Sequence, residues 1–258
     1  GVCEYCRLGL ENICIDRGLL GYFPYPGGYA EYMAIPHVAL RNVMKVPDDV
    51  PLEHATLTDP FSDALNGVEH LQVRLGDTAA VVGAGPIGTM QAQMIRASGA
   101  LKVIVADVSR QRLDLARTVL GEDKVVYVGG KGVDIVQSVL SETGGNGADR
   151  IIVACSSNKA QEDALPMAKK RARVVYFGGL PKTRPTISFA SNYLHYGELE
   201  VTGAYASTYK QQHLALDMIQ SGVLRADKII THIIPLAEIN HGFQYIHSGQ
   251  ALKVVVKP

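Results

Sequence analysis

The stretch Thr78-Ala-Ala-Val-Val-Gly-Ala-Gly-Pro-Ile-Gly88 decides the fold of this chain. A short apolar run leads into the pattern G-x-G-x-x-G, and a segment with helical periodicity follows it. A second apolar run leads into Asp107, about 20 residues after Gly88. A strand, a glycine-rich turn, a helix and a second strand followed by an acid are typical of a dinucleotide-binding unit. The alternative is a glycine-rich loop that serves tight packing alone.

Each residue of the glycine motif has a distinct predicted role. Gly83 allows the tight turn out of the strand, and Gly85 lets the backbone approach a pyrophosphate. Gly88 lets the following helix pack close to the sheet. Pro86 and Ile87 open that helix, whose free N–H groups and positive dipole end favour phosphate.

The acid after the second strand predicts which cofactor is bound. The Asp107 carboxylate can accept hydrogen bonds from both hydroxyls of an adenosine ribose, and it would repel a 2′-phosphate. The sequence therefore favours NAD over NADP. Arg112 is a candidate cofactor-binding residue, and together with Arg110 it leaves room for NADP. Both arginines also fit solvated positions at the start of the next helix.

From Thr78 onward, short apolar segments alternate with amphipathic helices. This alternation predicts an α/β fold with a doubly wound parallel (Rossmann) sheet that is covered by helices on both faces. Ligands of such sheets bind at the carboxyl ends of the strands, which adds Ser156, Gly178 and Gly179 to the candidate cofactor-binding residues. The predicted strands are 78–82, 102–106, 124–128, 150–154, 173–177 and 199–203.

Composition excludes several other classes of function. The chain has 258 residues, and its hydrophobic share of 47% is sufficient for a buried core. The formal net charge is 0, which gives no indication of a nucleic-acid partner. No apolar run reaches the ~18–20 residues that a membrane crossing needs, so we expect no membrane association.

Three of the four cysteines crowd the first 14 residues. Cys3, Cys6 and Cys14 give the pattern C-x2-C-x7-C, which suits a structural zinc in a reducing cytoplasm. Such a site needs four ligands, and we expect the fourth to be a cysteine just before Gly1, with Asp16 as a weaker substitute. The alternative is three reduced loop cysteines. Because the chain starts inside this motif, we expect it to be part of a longer protein.

The segment 18–49 differs from the rest of the chain, being rich in glycine, proline and aromatic residues. The run Gly27-Gly-Tyr-Ala-Glu-Tyr-Met33 predicts a turn that enters a strand. We expect residues 1–58 to belong to a β-rich domain, 59–205 to the dinucleotide-binding domain and 206–258 to return to the first domain.

Taken together, these motifs identify a family. The cysteine pattern, the run Gly28-Tyr-Ala-Glu-Tyr32 and the 83–88 loop with Asp107 resemble the zinc-dependent medium-chain alcohol dehydrogenases. The polyol, sorbitol and threonine dehydrogenase branch is the most similar, and the late segment 195–203 agrees with it. The resemblance implies a GroES-like catalytic domain beside the nucleotide domain.

The resemblance also implies a catalytic zinc and a reaction. Family members hold this zinc with a Cys and a His-Glu pair, which these residues lack and which we expect before Gly1. A further family ligand precedes a proline, and Asp59 matches it, with an ordinary helix N-cap as the alternative. The implied reaction transfers a hydride from a secondary alcohol to NAD, and we expect it to be impaired in this chain.

Several further expectations follow from the same resemblance. The substrate would be a small polyol, sugar alcohol or threonine-like alcohol, and the protein would be a cytoplasmic homodimer or homotetramer that pairs through strand 199–203. Two alternatives stay open. One is a zinc-free quinone or enoyl reductase of the same superfamily, and the other is a non-catalytic NAD-binding module.

Overall fold

A computed structural model describes residues 1–258 of the protein, which form two compact units. The discontinuous unit consists of Gly1–Ser62 and Ala206–Pro258, and the central unit consists of Asp63–Tyr205. None of the helices combines the length and apolar character that a membrane crossing requires.

The elements follow one another along the chain as strands and mostly short helices. The strands are β1 (Thr78–Val82), β2 (Lys102–Asp107), β3 (Val125–Gly129), β4 (Ala148–Val153), β5 (Ala168–Tyr176), β6 (Glu200–Gly203), β7 (Ile230–Pro235) and β8 (Lys253–Lys257). The helices are α1 (Glu4–Arg7), α2 (Leu52–Ala55), α3 (Thr58–Leu71), α4 (Pro86–Ala97), α5 (Arg110–Leu120), α6 (Ile135–Glu142), α7 (Asn158–Asp163), α8 (Asn192–Gly197), α9 (Tyr209–Gln220), α10 (Ala226–Ile229) and α11 (Ile239–His247).

The central unit is built on one six-stranded parallel sheet. Its strand order is β3-β2-β1-β4-β5-β6, so the order reverses between β1 and β4. All five pairings are parallel, which confirms the predicted doubly wound fold. The register aligns Val82 with both Ala106 and Val153. The residues that follow β1, β2 and β4 therefore lie at the same edge of the sheet.

Burial and helix caps explain why these residues form these elements. The strands β1, β2 and β4 are almost wholly buried, as expected for a sheet covered on both faces. Three helices of the central unit begin at side chains that accept a hydrogen bond from a backbone N–H of their first turn. These N-caps are Ser109 for α5, Asp134 for α6 and Ser157 for α7.

The discontinuous unit contains less β-structure than its sequence predicts. The predicted strand within the run Gly27 to Met33 is wrong, since the backbone there forms bends and irregular structure. A strand exists only through hydrogen bonds to a neighbouring strand, and no segment pairs with this one. The β-structure of the unit is the parallel pair of β7 and β8.

Three element boundaries also differ from the sequence expectation. The apolar run at 228–235 predicts a strand, but β7 begins only at Ile230, because α10 occupies the residues before it. The sequence predicts a helix over residues 159–168, whereas α7 ends at Asp163. The cationic run 169–171 predicts a solvated turn, but it belongs to the exposed start of β5.

Candidate functional site

The 83–88 loop connects the end of β1 to the start of α4. Gly83 has φ +113°, a conformation that side-chain-bearing residues rarely adopt. A Cβ on Gly83 would also lie 3.2 Å from the carbonyl carbon and oxygen of Ala154, which follows β4. Gly83 therefore satisfies two constraints at once, the turn out of β1 and the close approach of β4.

Two further glycines of the loop meet opposite surroundings. A Cβ on Gly88 would lie 1.8 Å from the carbonyl oxygen of Gly83, so the start of α4 packs too closely on the loop for any side chain. A Cβ on Gly85 would have no heavy atom within 4 Å. Gly85 is the N-cap of α4, and no side chain caps this helix. The open space therefore lies where the helix N-terminus favours a phosphate, as a dinucleotide requires.

Asp107 ends β2 and turns its carboxylate towards the same loop. One oxygen accepts a hydrogen bond from the Ala84 N–H and the other from the Ser109 N–H, each at 2.8 Å. The residue is only 6% exposed. Each carboxylate oxygen has a second lone pair, so both can still accept a ribose hydroxyl. The Arg112 guanidinium lies 4.0 Å from Asp107 and is the nearest counter-charge.

The ends of β4 and β5 form the next part of the same sheet edge. A Cβ on Gly178 would lie 2.3 Å from the carbonyl oxygen of Cys155, so Gly178 is required by backbone packing. Its own carbonyl accepts a hydrogen bond from the Gln161 amide at 2.7 Å. Gly179 has open space where a Cβ would be, and Ser156 is exposed.

Cys155 lies between Gly83 of the loop and Gly178 after β5. Its β-carbon lies 3.2 Å from where a Gly83 side chain would begin. Burial raises the pKa of the Cys155 thiol, and the negative charge of Asp107 adds to the effect. The thiol is therefore neutral near pH 7 and forms part of the wall of the site.

The structure adds residues that the sequence interpretation missed. The backbone N–H groups of Ala84 and Ser109 hold Asp107, and a main-chain donor leaves no sequence signature. After β3, the Gly130 N–H donates to the Asp107 carbonyl at 2.9 Å. A Cβ on Gly129 would lie 2.0 Å from that carbonyl oxygen. The paired glycines at the end of the third strand, Gly129 and Gly130, were the signal available in the sequence.

The three N-terminal cysteines form a second candidate site, here named the cysteine lobe (residues 3–14). Their sulfur atoms all lie within 4.8 Å of one another, with 3.5 Å from Cys3 to Cys6 and 3.9 Å from Cys3 to Cys14. A tetrahedral zinc with Zn–S bonds of about 2.3 Å sets its sulfurs about 3.8 Å apart. The thiols therefore fit three corners of such a site.

The electrostatics of the cysteine lobe favour a thiolate at Cys3, whereas burial and the neighbouring cysteines raise the pKa of the Cys6 thiol. Backbone N–H groups of Cys6 and Ile15 lower the pKa of the Cys3 thiol to about 6. Asp16 does not belong to the cluster, since the group of metal-binding atoms contains the three sulfurs alone. The fourth corner is not supplied by a side chain among these residues.

Asp59 lies apart from both of these sites in the first turn of α3. Its carbonyl accepts a hydrogen bond from the Ser62 hydroxyl at 2.7 Å. The charge of Asp59 acts on Lys253. Burial lowers the pKa of Lys253, and the negative charge of Asp59 partly opposes that effect. No cluster of three metal-binding side chains includes Asp59.

Comparison with known proteins places the chain in a family. The sequence model described as "Zinc-binding dehydrogenase" matches residues 86–221. The erythritol/L-threitol dehydrogenase of Mycolicibacterium smegmatis is 33% identical over 99% of this chain and 69% of its own length. The chain belongs to the zinc-binding dehydrogenase family. This confirms the family membership that the cysteine pattern, the run Gly28-Tyr-Ala-Glu-Tyr32 and the 83–88 loop predict.

Other members of the zinc-binding dehydrogenase family show the same agreement. The L-threonine 3-dehydrogenase of Anaeromyxobacter dehalogenans is 32% identical over 99% of this chain and 71% of its own length. The solved structure of the alcohol dehydrogenase TADH from Thermus sp. ATN1 superposes with a TM-score of 0.89 at 30% identity. It covers 100% of this chain, which covers 74% of that protein.

Proposed function

We propose that this zinc-binding dehydrogenase transfers a hydride between a secondary alcohol and NAD. The observation that carries the proposal is Asp107, whose carboxylate closes onto the glycine loop beside an open space at the N-terminus of α4. Relatives named as erythritol/L-threitol, L-threonine and sorbitol dehydrogenases support a polyol, sugar alcohol or threonine-like substrate.

The residues of this chain bind and orient the cofactor. The open space at Gly85 admits the pyrophosphate against the free N–H groups of α4. Asp107 accepts the ribose hydroxyls and rejects a 2′-phosphate. Ser156 and Gly179 lie at the ends of β4 and β5. The neutral Cys155 thiol forms part of the wall of the cofactor site and adds no charge to it. When bound, the nicotinamide supplies the hydride acceptor.

We further propose two roles for zinc. The thiolates of Cys3, Cys6 and Cys14 would hold a structural ion as three of its four ligands. Asp59 would stand close to a catalytic ion whose other ligands are not among these residues. A catalytic zinc supplies Lewis-acid polarisation of the alcohol oxygen. We expect this chain alone to bind NAD and to turn over poorly.

The cofactor site is tested by Gly85→Ala. The new methyl group meets no protein atom, so the variant should keep the wild-type melting temperature. It fills the space for the pyrophosphate, so we expect NADH affinity to fall at least tenfold (~1.4 kcal/mol), measured by titration calorimetry. Gly28→Ala is the matched control, because its methyl group also enters open space but lies far along the chain from the loop. Unchanged NADH binding by Gly85→Ala would count against the proposal.

We also propose that the protein is a cytoplasmic homodimer or homotetramer. Strand β6 pairs with β5 alone, so its outer edge offers unpaired backbone groups to a second copy. The four free cysteines suit a reducing compartment. Light scattering at micromolar concentration tests the assembly, and a monomer there would contradict it.

A further inference from the structure

The side chain of Glu11 joins two segments that are far apart in the sequence. Glu11 lies in a 3₁₀ turn between Cys6 and Cys14, and its carbonyl accepts a hydrogen bond from the Cys14 N–H at 3.1 Å. Its carboxylate accepts a hydrogen bond from the N–H of Tyr209 at 2.5 Å, 198 residues later. The main chain of Glu11 is thus fixed to a cysteine and its side chain to the first residue of α9.

The N-terminus of α9 does not need Glu11 for an ordinary cap. Thr208 and Gln211 already form a capping box, in which each side chain accepts a hydrogen bond from the backbone N–H of the other. Tyr209 lies between the two residues whose N–H groups the box satisfies, so its own N–H depends on a partner from elsewhere. Glu11 supplies a charged acceptor at the positive end of the α9 dipole.

The same segment is tied to the start of α3. The hydroxyls of Ser207 and Ser62 share a hydrogen bond at 2.8 Å, and Ser62 is fully buried. Ser62 donates its one proton to the Asp59 carbonyl, so Ser207 is the donor between the two hydroxyls. Movement of the residues before α9 therefore acts on the backbone of Asp59.

We propose that Glu11 is a positioning residue, through which metal bound in the cysteine lobe orders the start of α9 and, beyond it, the turn carrying Asp59. This inference rests on the proposed zinc site. A bound ion would fix the three cysteines and hence the turn that aims Glu11. Without the ion, only hydrogen bonds hold the lobe, and Glu11 loses its fixed position opposite Tyr209.

Hydrogen exchange on the whole chain tests the coupling, with the zinc content of every sample measured. We expect the Tyr209 amide to exchange about tenfold faster after zinc is stripped, as loss of a hydrogen bond to a charged acceptor predicts. Glu11→Ala should do the same with zinc still bound. Glu11→Gln should be intermediate, because its amide oxygen can still accept. Residues 58–63 should also exchange faster in the stripped protein.

Glu4→Ala is the control, since Glu4 is an exposed acid of the same lobe, and it should behave as the wild type. Unchanged exchange at Tyr209 in a chain that binds and then loses zinc would overturn the coupling while leaving the zinc site intact. Unchanged exchange at 58–63 would overturn its extension to Asp59. A chain that binds no zinc would overturn both the zinc site and the coupling. If Glu11→Ala does not fold, Glu11→Gln and the stripped wild type still decide the outcome.

Discussion

Gly88 and Gly85 belong to one motif but are constrained by different neighbours. The first has a carbonyl oxygen where its side chain would begin, whereas the second faces open space. The motif therefore combines a position where the fold excludes a side chain with a position that faces open space. This difference agrees with the roles that the motif predicts, which are close helix packing at Gly88 and open space for a ligand at Gly85.

Gly88→Ala should destabilise the protein. A methyl group at 1.8 Å from the Gly83 oxygen forces α4 away from the sheet, and such overpacking costs about 3 kcal/mol. Urea unfolding followed by circular dichroism measures the loss. Gly85→Ala is the matched control and should unfold at the wild-type midpoint. Equal midpoints for both variants would contradict the packing argument.

Asp107→Asn should weaken cofactor discrimination. Asparagine keeps one acceptor oxygen for a backbone donor but carries no charge. We expect NADH affinity to fall about tenfold, as loss of a charged hydrogen-bond acceptor predicts, and NADPH affinity to rise once repulsion is removed. Binding titrations with both cofactors measure the ratio. Asp114→Asn, an exposed acid on α5, controls for loss of charge nearby. An unchanged ratio would show that Asp107 does not select the cofactor.

Single residues show how far sequence reasoning reaches. The close packing at Gly83 and Gly88 and the position of Asp107 beside the loop were predictable, because the spacing of the motif specifies them. The contact between Gly178 and the Cys155 carbonyl was not, because it depends on the separation of two strand ends. The link from Glu11 to Tyr209 was equally hidden, since it joins a side chain to a distant backbone group.

Strands β1, β4 and β5 are held together at their starts by Asp149. Its carboxylate accepts hydrogen bonds from the Thr78 N–H at 3.0 Å and the Lys169 ammonium at 2.7 Å. Burial acts to raise the pKa of Asp149, but these two partners outweigh it and hold the pKa below its usual value. The charged form therefore stabilises the folded sheet.

This lowered pKa predicts how stability depends on pH. The contribution of Asp149 is fully present above the pKa of about 3.9 that an unfolded chain has, and it disappears as pH falls through the lower folded value. Asp149→Asn should cost about 1 kcal/mol at pH 7 and make the stability fall less steeply towards pH 3. Urea unfolding at both pH values measures this, and parallel pH profiles for variant and wild type would refute it.

The alternation of strands and helices in the central unit was predictable because strands buried on both faces are continuous apolar runs. The strand expected near Tyr29 was not formed, because pairing depends on a neighbour that no local pattern specifies. Helix α10 was not predicted, because its four residues are too few to show a helical period.

The two units should respond to different ligands. NADH at 100 times its dissociation constant should stabilise the cofactor-binding unit by about 2.7 kcal/mol. Hydrogen exchange should show this protection in β1 and β2 of the central unit. Chelation of zinc should instead remove protection from residues of the discontinuous unit and leave β1 unchanged. Loss of protection in β1 on chelation would contradict this division.

The discontinuous unit also constrains the order in which the protein can be made. Residues Gly1–Ser62 leave the ribosome well before Ala206–Pro258, on which their packing depends. The whole central unit is synthesised in between, and it holds its own six-stranded sheet. At 5–20 residues per second, the first segment waits roughly 10–30 s for its partner. During that time the first segment lacks the residues on which it packs, while the central unit is free to fold on the emerging chain.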